Sequence, residues 1–150
     1  MSSNRNIDAM VARHCFQWEW RFYPELNESW LTDPATPRRH GCVVEATPSA
    51  KQDTGSVPAF STDPACAWNV VDKIQKDSPT WRFSLRSDEV GGLRWLACFI
   101  TINNSRESFG RIEGEAIVAS RELAICLAAL RAVGCPESEI ETALSERRRA

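Results

Sequence analysis

The sequence predicts an α+β domain: a three-layer α-β-α sandwich on a mainly antiparallel sheet of about four to five strands, with helices on both faces. Three observations predict it. Apolar residues recur at helical spacing in four segments, and at alternating spacing in several segments between them. The run 93–102, LRWLACFITI, is apolar on both faces, with Leu96, Cys98, Ile100 and Ile102 on one and Trp95, Ala97 and Phe99 on the other. Such a strand belongs in the middle of a sheet covered on both sides by helices. The chain also lacks internal repeats, low-complexity tracts and any linker of domain-separating character, so residues 1–150 are expected to form one domain. A chain of 150 residues buries roughly 68–70% of its unfolded surface, enough for a core without disulfides.

The elements follow in order. Ile7, Met10, Val11 and His14 lie at i, i+3, i+4 and i+7, one face of a helix over about 6–16. The period then changes: Trp18, Trp20 and Phe22 alternate with Glu19 and Arg21, a half-buried strand that Pro24 ends, and Trp30-Leu31 opens a second short strand. Residues 32–57 read as a long loop, with Pro34, Pro37, Pro48 and Gly55. A structureless loop of that length is unusual inside a domain, so GCVVE at 41–45 is expected to pair as an edge strand. Asp63 caps a helix over about 63–76, with Pro64 in its first turn and Ala67, Trp68, Val71 and Ile74 as its apolar stripe. Trp81, Phe83 and Leu85 alternate with Arg82, Ser84 and Arg86 in the next strand. Gly91-Gly92 then turns the chain into the two-sided strand, and 103–108 supply a further turn. Residues 111–118 form a strand nearer an edge. Ser120 caps a helix whose buried stripe is Leu123, Cys126, Leu127 and Leu130, and Gly134 ends it. A last helix covers about 137–148.

Composition excludes more than it suggests. Eighteen basic against 20 acidic side chains give a net charge of −2, which argues against general nucleic-acid binding. Fifteen of the basic residues are arginine, a preference that codon usage explains more simply than ligand chemistry. No apolar run reaches the ~18 residues of a membrane span. The first 16 residues lack the pattern of a secretion signal, so the protein is expected in the cytoplasm of a host bacterial cell. Cys15, Cys42, Cys66, Cys98, Cys126 and Cys135 contain no Cys-x-x-Cys pair. His14-Cys15 and His40-x-Cys42 each offer two zinc ligands at poor spacing, and neither a metal nor a disulfide is expected.

Five segments, in this order, carry a family likeness: NIDAMVARHCFQWEW at 6–20, FSTDPACAWNVVDKI at 60–74, the strand pair WRFSL and RWLACFITI, and ELAICLAALRAVG at 122–134. The chain resembles the bacteriophage and prophage proteins grouped as the phage ABA-sandwich domain. That resemblance implies an α-β-α sandwich and a phage origin, and it brings no catalytic residues to transfer. The long loop at 32–57 and the helix at about 137–148 depart from the family pattern.

The residues themselves form no recognisable reacting centre. There is no nucleophile elbow, P-loop or dinucleotide fingerprint. His14 lies on an apolar helix face, where a core histidine bonded to backbone is expected. The acidic pairs Glu113/Glu115 and Asp88/Glu89 read as solvated faces. Arg82, Arg86 and Arg94, with Trp95, are the candidate ligand-binding set, because paired cations beside an aromatic suit a phosphate or a stacked base. Arg38, Arg39 and His40 mark the loop as a candidate contact surface. No cofactor, catalytic residue or metal is assigned, and the protein is expected not to be an enzyme. The leading expectation is an accessory protein that binds a host protein or a nucleotide-like small molecule, counteracting host defence, with homo-oligomers allowed. The alternatives are a small hydrolase using Cys42/His40 or carboxylates, and a virion or assembly component.

Overall fold

The computed structural model of the protein describes residues 4–88, 93–102 and 110–149. Helix α1 (Arg5–Phe16) ends at Gln17 in the left-handed conformation, which turns the chain directly into strand β1 (Glu19–Tyr23). A tight turn with Asn27 at φ 50° leads back through β2 (Glu28–Thr32), paired antiparallel to β1. The long connection contains two short strands. The expected edge strand is β3 (Val43–Glu45), antiparallel to β1. An unanticipated β4 (Lys51–Asp53) runs parallel to β2, giving a four-stranded sheet of order β3-β1-β2-β4.

Helix α2 (Pro64–Asp77) starts as its sequence requires: the Asp63 carboxylate accepts the amides of Ala65 and Cys66, and Pro64 occupies the first turn. Its buried side chains are Ala67, Val70, Val71 and Ile74. Trp68 is 43% exposed and stands edge-on to Phe83 instead of joining the stripe. Strands β5 (Trp81–Asp88), β6 (Arg94–Thr101) and β7 (Arg111–Val118) form a separate antiparallel sheet of order β5-β6-β7. The glycine turn expected at Gly91-Gly92 and the turn at 103–108 lie outside the described residues. Helix α3 (Arg121–Ala132) is capped by Ser120, whose hydroxyl accepts the Leu123 amide. Gly134, at φ 83°, lets the chain reverse into α4 (Glu137–Arg149).

The fold is α+β, with seven strands among the described residues divided between two sheets instead of one. Helix α3 is the centre. Every side chain from Leu123 to Leu130 is buried, well beyond a one-sided stripe, because α3 touches β6, β7, α1, α2 and α4. Trp95, Ala97 and Phe99 of β6 face this helical layer, as their alternation requires. The opposite face of the same sheet carries Leu96, Cys98 and Ile100 with Ile112 and Ile117, and the last two are 54% and 52% exposed. The expectation of helices on both faces is therefore not met for β6 among the described residues: the helices gather on one side around α3.

The tightest helix–sheet approach is at Gly114 on β7, where an added Cβ would overlap the Ala128 carbonyl oxygen and the Ala132 amide of α3. Both are backbone atoms of the last turns of α3, not flexible side-chain ends that could swing aside. Gly114→Ala should therefore destabilise the fold by about 3 kcal/mol, the upper range for overpacking. Chemical denaturation of the variant against wild type checks this, and an unchanged midpoint would show that α3 can lift from the sheet at no cost.

Candidate ligand site

Arg21 on β1 organises the long loop. Alternation along β1 marks it as a solvent-facing residue, but its side chain is 0% exposed. The guanidinium donates to Glu19 Oε1 at 2.9 Å, to the Asp33 carbonyl at 3.3 Å and to the Pro37 carbonyl at 3.5 Å. A buried cation is tolerated only when paired and hydrogen-bonded, and these contacts do both. They draw residues 33–37 over the sheet face that carries Arg21, Tyr23 and Trp30. Arg38 reaches the same Glu19 carboxylate at 3.2 Å. Partial burial pushes the Glu19 carboxyl up, but the hydrogen bonds from Arg38 and Arg21 outweigh it and hold it below the usual carboxylate range.

The second half of the loop is tied to α1 in a similar way. Arg5 donates to the carbonyls of Thr54 and Val57 and pairs with buried Asp8 at 3.3 Å. Asp8 in turn accepts the Ser61 amide at 2.7 Å. Two arginines, one on β1 and one on α1, thus supply the loop with partners that its own backbone lacks.

Folding the loop onto the sheet creates two cavities that share Tyr23 and Arg39. One, of about 260 Å³, is lined by Tyr23, Pro24, Leu26, Arg39, His40 and Cys42, with Glu25 also in its wall. The other, of about 220 Å³, is lined by Trp18, Tyr23, Trp30, Asp33 and Arg39 among others. The Arg39 guanidinium stands 6.0 Å over the Trp30 ring, and the Tyr23 and Trp30 rings lie 4.8 Å apart at 45°. The Trp30 indole N–H is committed to Glu28 at 2.9 Å, which fixes the ring's orientation. Glu25 borders one cavity and Asp33 the other, and Arg39 stands where the two meet.

The residues singled out by sequence fall in different places. Arg38, Arg39 and His40 are exposed on the loop, and Arg39 and His40 line the first cavity. Arg82 and Arg86 point to the open face of the β5-β6-β7 sheet with the odd-numbered Trp95 on the opposite side. Arg94 shares the register positions of Arg82 and Arg86, opposite Asp88. The Arg82 guanidinium is turned back onto the carbonyls of Pro79 and Trp81, and Trp95 lies 5.7 Å beneath Arg121. The four residues do not converge on one face. Tyr23, Trp30 and Trp18, which the structure gathers around Arg39, read in sequence only as strand aromatics.

No hydrogen bond joins His40 to Cys42, although both line the same cavity. Glu113 accepts from Thr101 at 2.6 Å, and Glu89 of the Asp88/Glu89 pair lies outside the described residues. The buried thiols are poor nucleophiles: burial pushes Cys15 up to about 12 and Cys135 up to about 11, the latter helped by Glu139. His14 was expected to bond backbone inside the core; its Nε2 instead lies 3.3 Å from the Glu139 carboxylate at the α1–α4 contact, with Cys135 adjacent.

A model of the phage ABA sandwich domain matches residues 9–130. The chain belongs to that family. No curated protein and no solved structure matches it. In this phage ABA sandwich domain the matched span takes in Arg21, Trp30, Arg39 and all of the cavity lining, whereas α4 lies beyond it. Among the described residues no helix is long and apolar enough to cross a membrane.

The anchoring role of Arg21 has a direct test. Arg21→Met keeps the stem but removes the charge, stranding the Asp33 and Pro37 carbonyls; it should cost about 2–4 kcal/mol and speed proteolysis within 33–42. Arg38→Ala, an exposed partner of the same carboxylate, should cost under ~1 kcal/mol. Equal, small losses for both would remove Arg21 from this role.

Proposed function

We infer that this phage domain acts by binding, not by catalysis, and that its ligand is a small, planar, anionic molecule of the nucleotide type. The observation that carries this reading is the Arg39 guanidinium over Trp30, beside Tyr23, at the junction of two loop-covered cavities. Aromatic faces accept a base by stacking without demanding a particular hydrogen-bond pattern, and an arginine fork suits a phosphate. In an infected cell such a protein would withdraw a nucleotide-like signal from a host defence; membership of a phage family supports that setting. Isothermal titration against cyclic nucleotides and ADP-ribose derivatives tests it. One of them should bind the wild type, and Arg39→Ala or Trp30→Ala should weaken it at least tenfold, about 1.4 kcal/mol. Absence of heat with every ligand, or an affinity indifferent to both substitutions, would sink the reading. Turnover of a bound nucleotide that disappears in His40→Ala with stability unchanged would favour the hydrolase alternative.

A second observation favours protein binding on another surface. Leu96, Ile100, Ile112 and Ile117 share the open face of the β5-β6-β7 sheet, flanked by Arg82 and Arg86 on one edge strand and Glu115 on the other. Apolar residues clustered on a sheet face and rimmed by charge are the usual make-up of a docking surface. Here the partner is a host protein. Ile117→Glu should abolish its capture from host lysate without changing the denaturation midpoint by more than ~0.5 kcal/mol. Capture that persists in the variant would place the partner elsewhere.

A further inference from the structure

We propose that His14, Cys135 and Glu139 form a binding site for a zinc-class divalent transition-metal ion, held by His14 Nε2, Cys135 Sγ and a Glu139 carboxylate oxygen. This site is separate from the loop cavities and does not depend on what they bind. His14 belongs to the last turn of α1. The left-handed turn at Gly134 delivers Cys135 to the entrance of α4, and Glu139 follows four residues later, one helical turn on. Helix α1 therefore supplies His14, the turn into α4 supplies Cys135, and α4 supplies Glu139. Their relative position is set by Ile140 and Ala143, which α4 buries in the core, and by the hydrogen bond from Asn6 on α1 to Glu146 on α4.

The separations suit one ion. Zinc bonds of roughly 2.0–2.3 Å in a tetrahedron place neighbouring ligand atoms about 3.3–3.6 Å apart. The His14 Nε2 to Glu139 Oε2 distance is 3.3 Å, and Cys135 Sγ lies 3.7 Å from the same oxygen. All the ligand atoms fall within 4.8 Å of one another, so the His14–Cys135 edge needs only a small rotamer adjustment to close. The His14–Glu139 ion pair and the hydrogen bond from the Cys135 thiol to Glu139 bring nitrogen and sulfur to one carboxylate oxygen, the geometry a single ion would bridge. The mixed nitrogen, sulfur and oxygen set selects zinc-class ions over magnesium or calcium, which prefer oxygen alone.

Binding is a ligand exchange with a simple balance. The Cys135 S–H bond breaks, its proton leaves to solvent, and the sulfur lone pair bonds the metal. His14 binds as the neutral ring with its proton on Nδ1. Thiolate and carboxylate then cancel the two positive charges of the ion. Three protein ligands leave a fourth position for water. Glu139 and Arg13 both border a groove of about 360 Å³ between α1 and α4. Trp20 lines the same groove and has a buried indole N–H without a partner, a donor that a bound water or anion there would satisfy. Cys135 and Glu139 lie beyond the residues matched to the family.

Cobalt provides the test. Protein stripped by a chelator should take up one Co(II) per chain with a thiolate-to-cobalt charge-transfer band, displaced by Zn(II). Cys135→Ser should abolish the band. Glu139→Gln, at a largely exposed side chain that leaves the helix intact, and His14→Asn should each weaken Zn(II) binding at least about tenfold. Zn(II) should raise the thermal midpoint of the wild type by more than that of any of the three variants, because the ion binds only the folded arrangement. Absence of a cobalt band in the wild type, or a band that survives Cys135→Ser, would overturn the proposal.

Discussion

A buried arginine governs this protein's shape. Arg21 cannot stay charged inside a sheet unless something brings it acceptors, and the acceptors it finds are one carboxylate and two carbonyls of a loop that would otherwise be loose. The requirement runs in both directions. The loop covers the arginine, and the arginine holds the loop down. Everything that makes the neighbouring cavities follows from that mutual need: Arg38 is captured by the same Glu19, and Arg39 is left standing over Trp30. Short strands β3 and β4 then secure the far parts of the loop to β1 and β2, and Arg5 secures the segment that leads to α2.

The rest of the molecule is built around a different constraint, the wholly buried helix α3. Its alanines and Cys126 are small enough for close approach by three helices and two strands, and Gly114 removes the last obstacle on the sheet side. Concentrating apolar surface there has a consequence for the β5-β6-β7 sheet. All helical cover is drawn to one face, and the isoleucines of the other face remain in contact with water. A binding domain can use such a surface; a domain selected only for stability would have little reason to keep it.

Local signals were read well because they act over a few residues. The Asp63 and Ser120 caps, the Gly134 reversal and the alternation along 93–102 each depend on neighbours within about one turn or one pleat, so the residues themselves suffice. The edge strand at 43–45 was legible from loop length alone. Trp68 misled for a related reason: it has the spacing of a core residue, but the space beside α2 is filled by Val70 and Val71, and its ring leans on Phe83 at the surface. The candidate site was half legible. Arg39 and His40 stood out as cations on a long loop, whereas Trp30 and Tyr23 looked like ordinary strand residues until the loop was seen to fold over them. Side chains one residue apart on a strand face opposite ways, so Arg82, Arg86 and Arg94 of β5 and β6 lie across the sheet from Trp95.

By itself the sequence determined every element but β4, their order, the helix ends and the phage ABA sandwich kinship, since capping, periodicity and turn chemistry are encoded within short windows. Only the tertiary structure decided that the strands split into two sheets, that Arg21 is buried, that Arg39 meets Trp30, and that His14 meets Cys135 and Glu139 across more than a hundred residues. Those are meetings between distant segments. A strand's pattern says which face is apolar but not which strand lies beside it, and a charged side chain is buried only when remote groups arrive to pair with it.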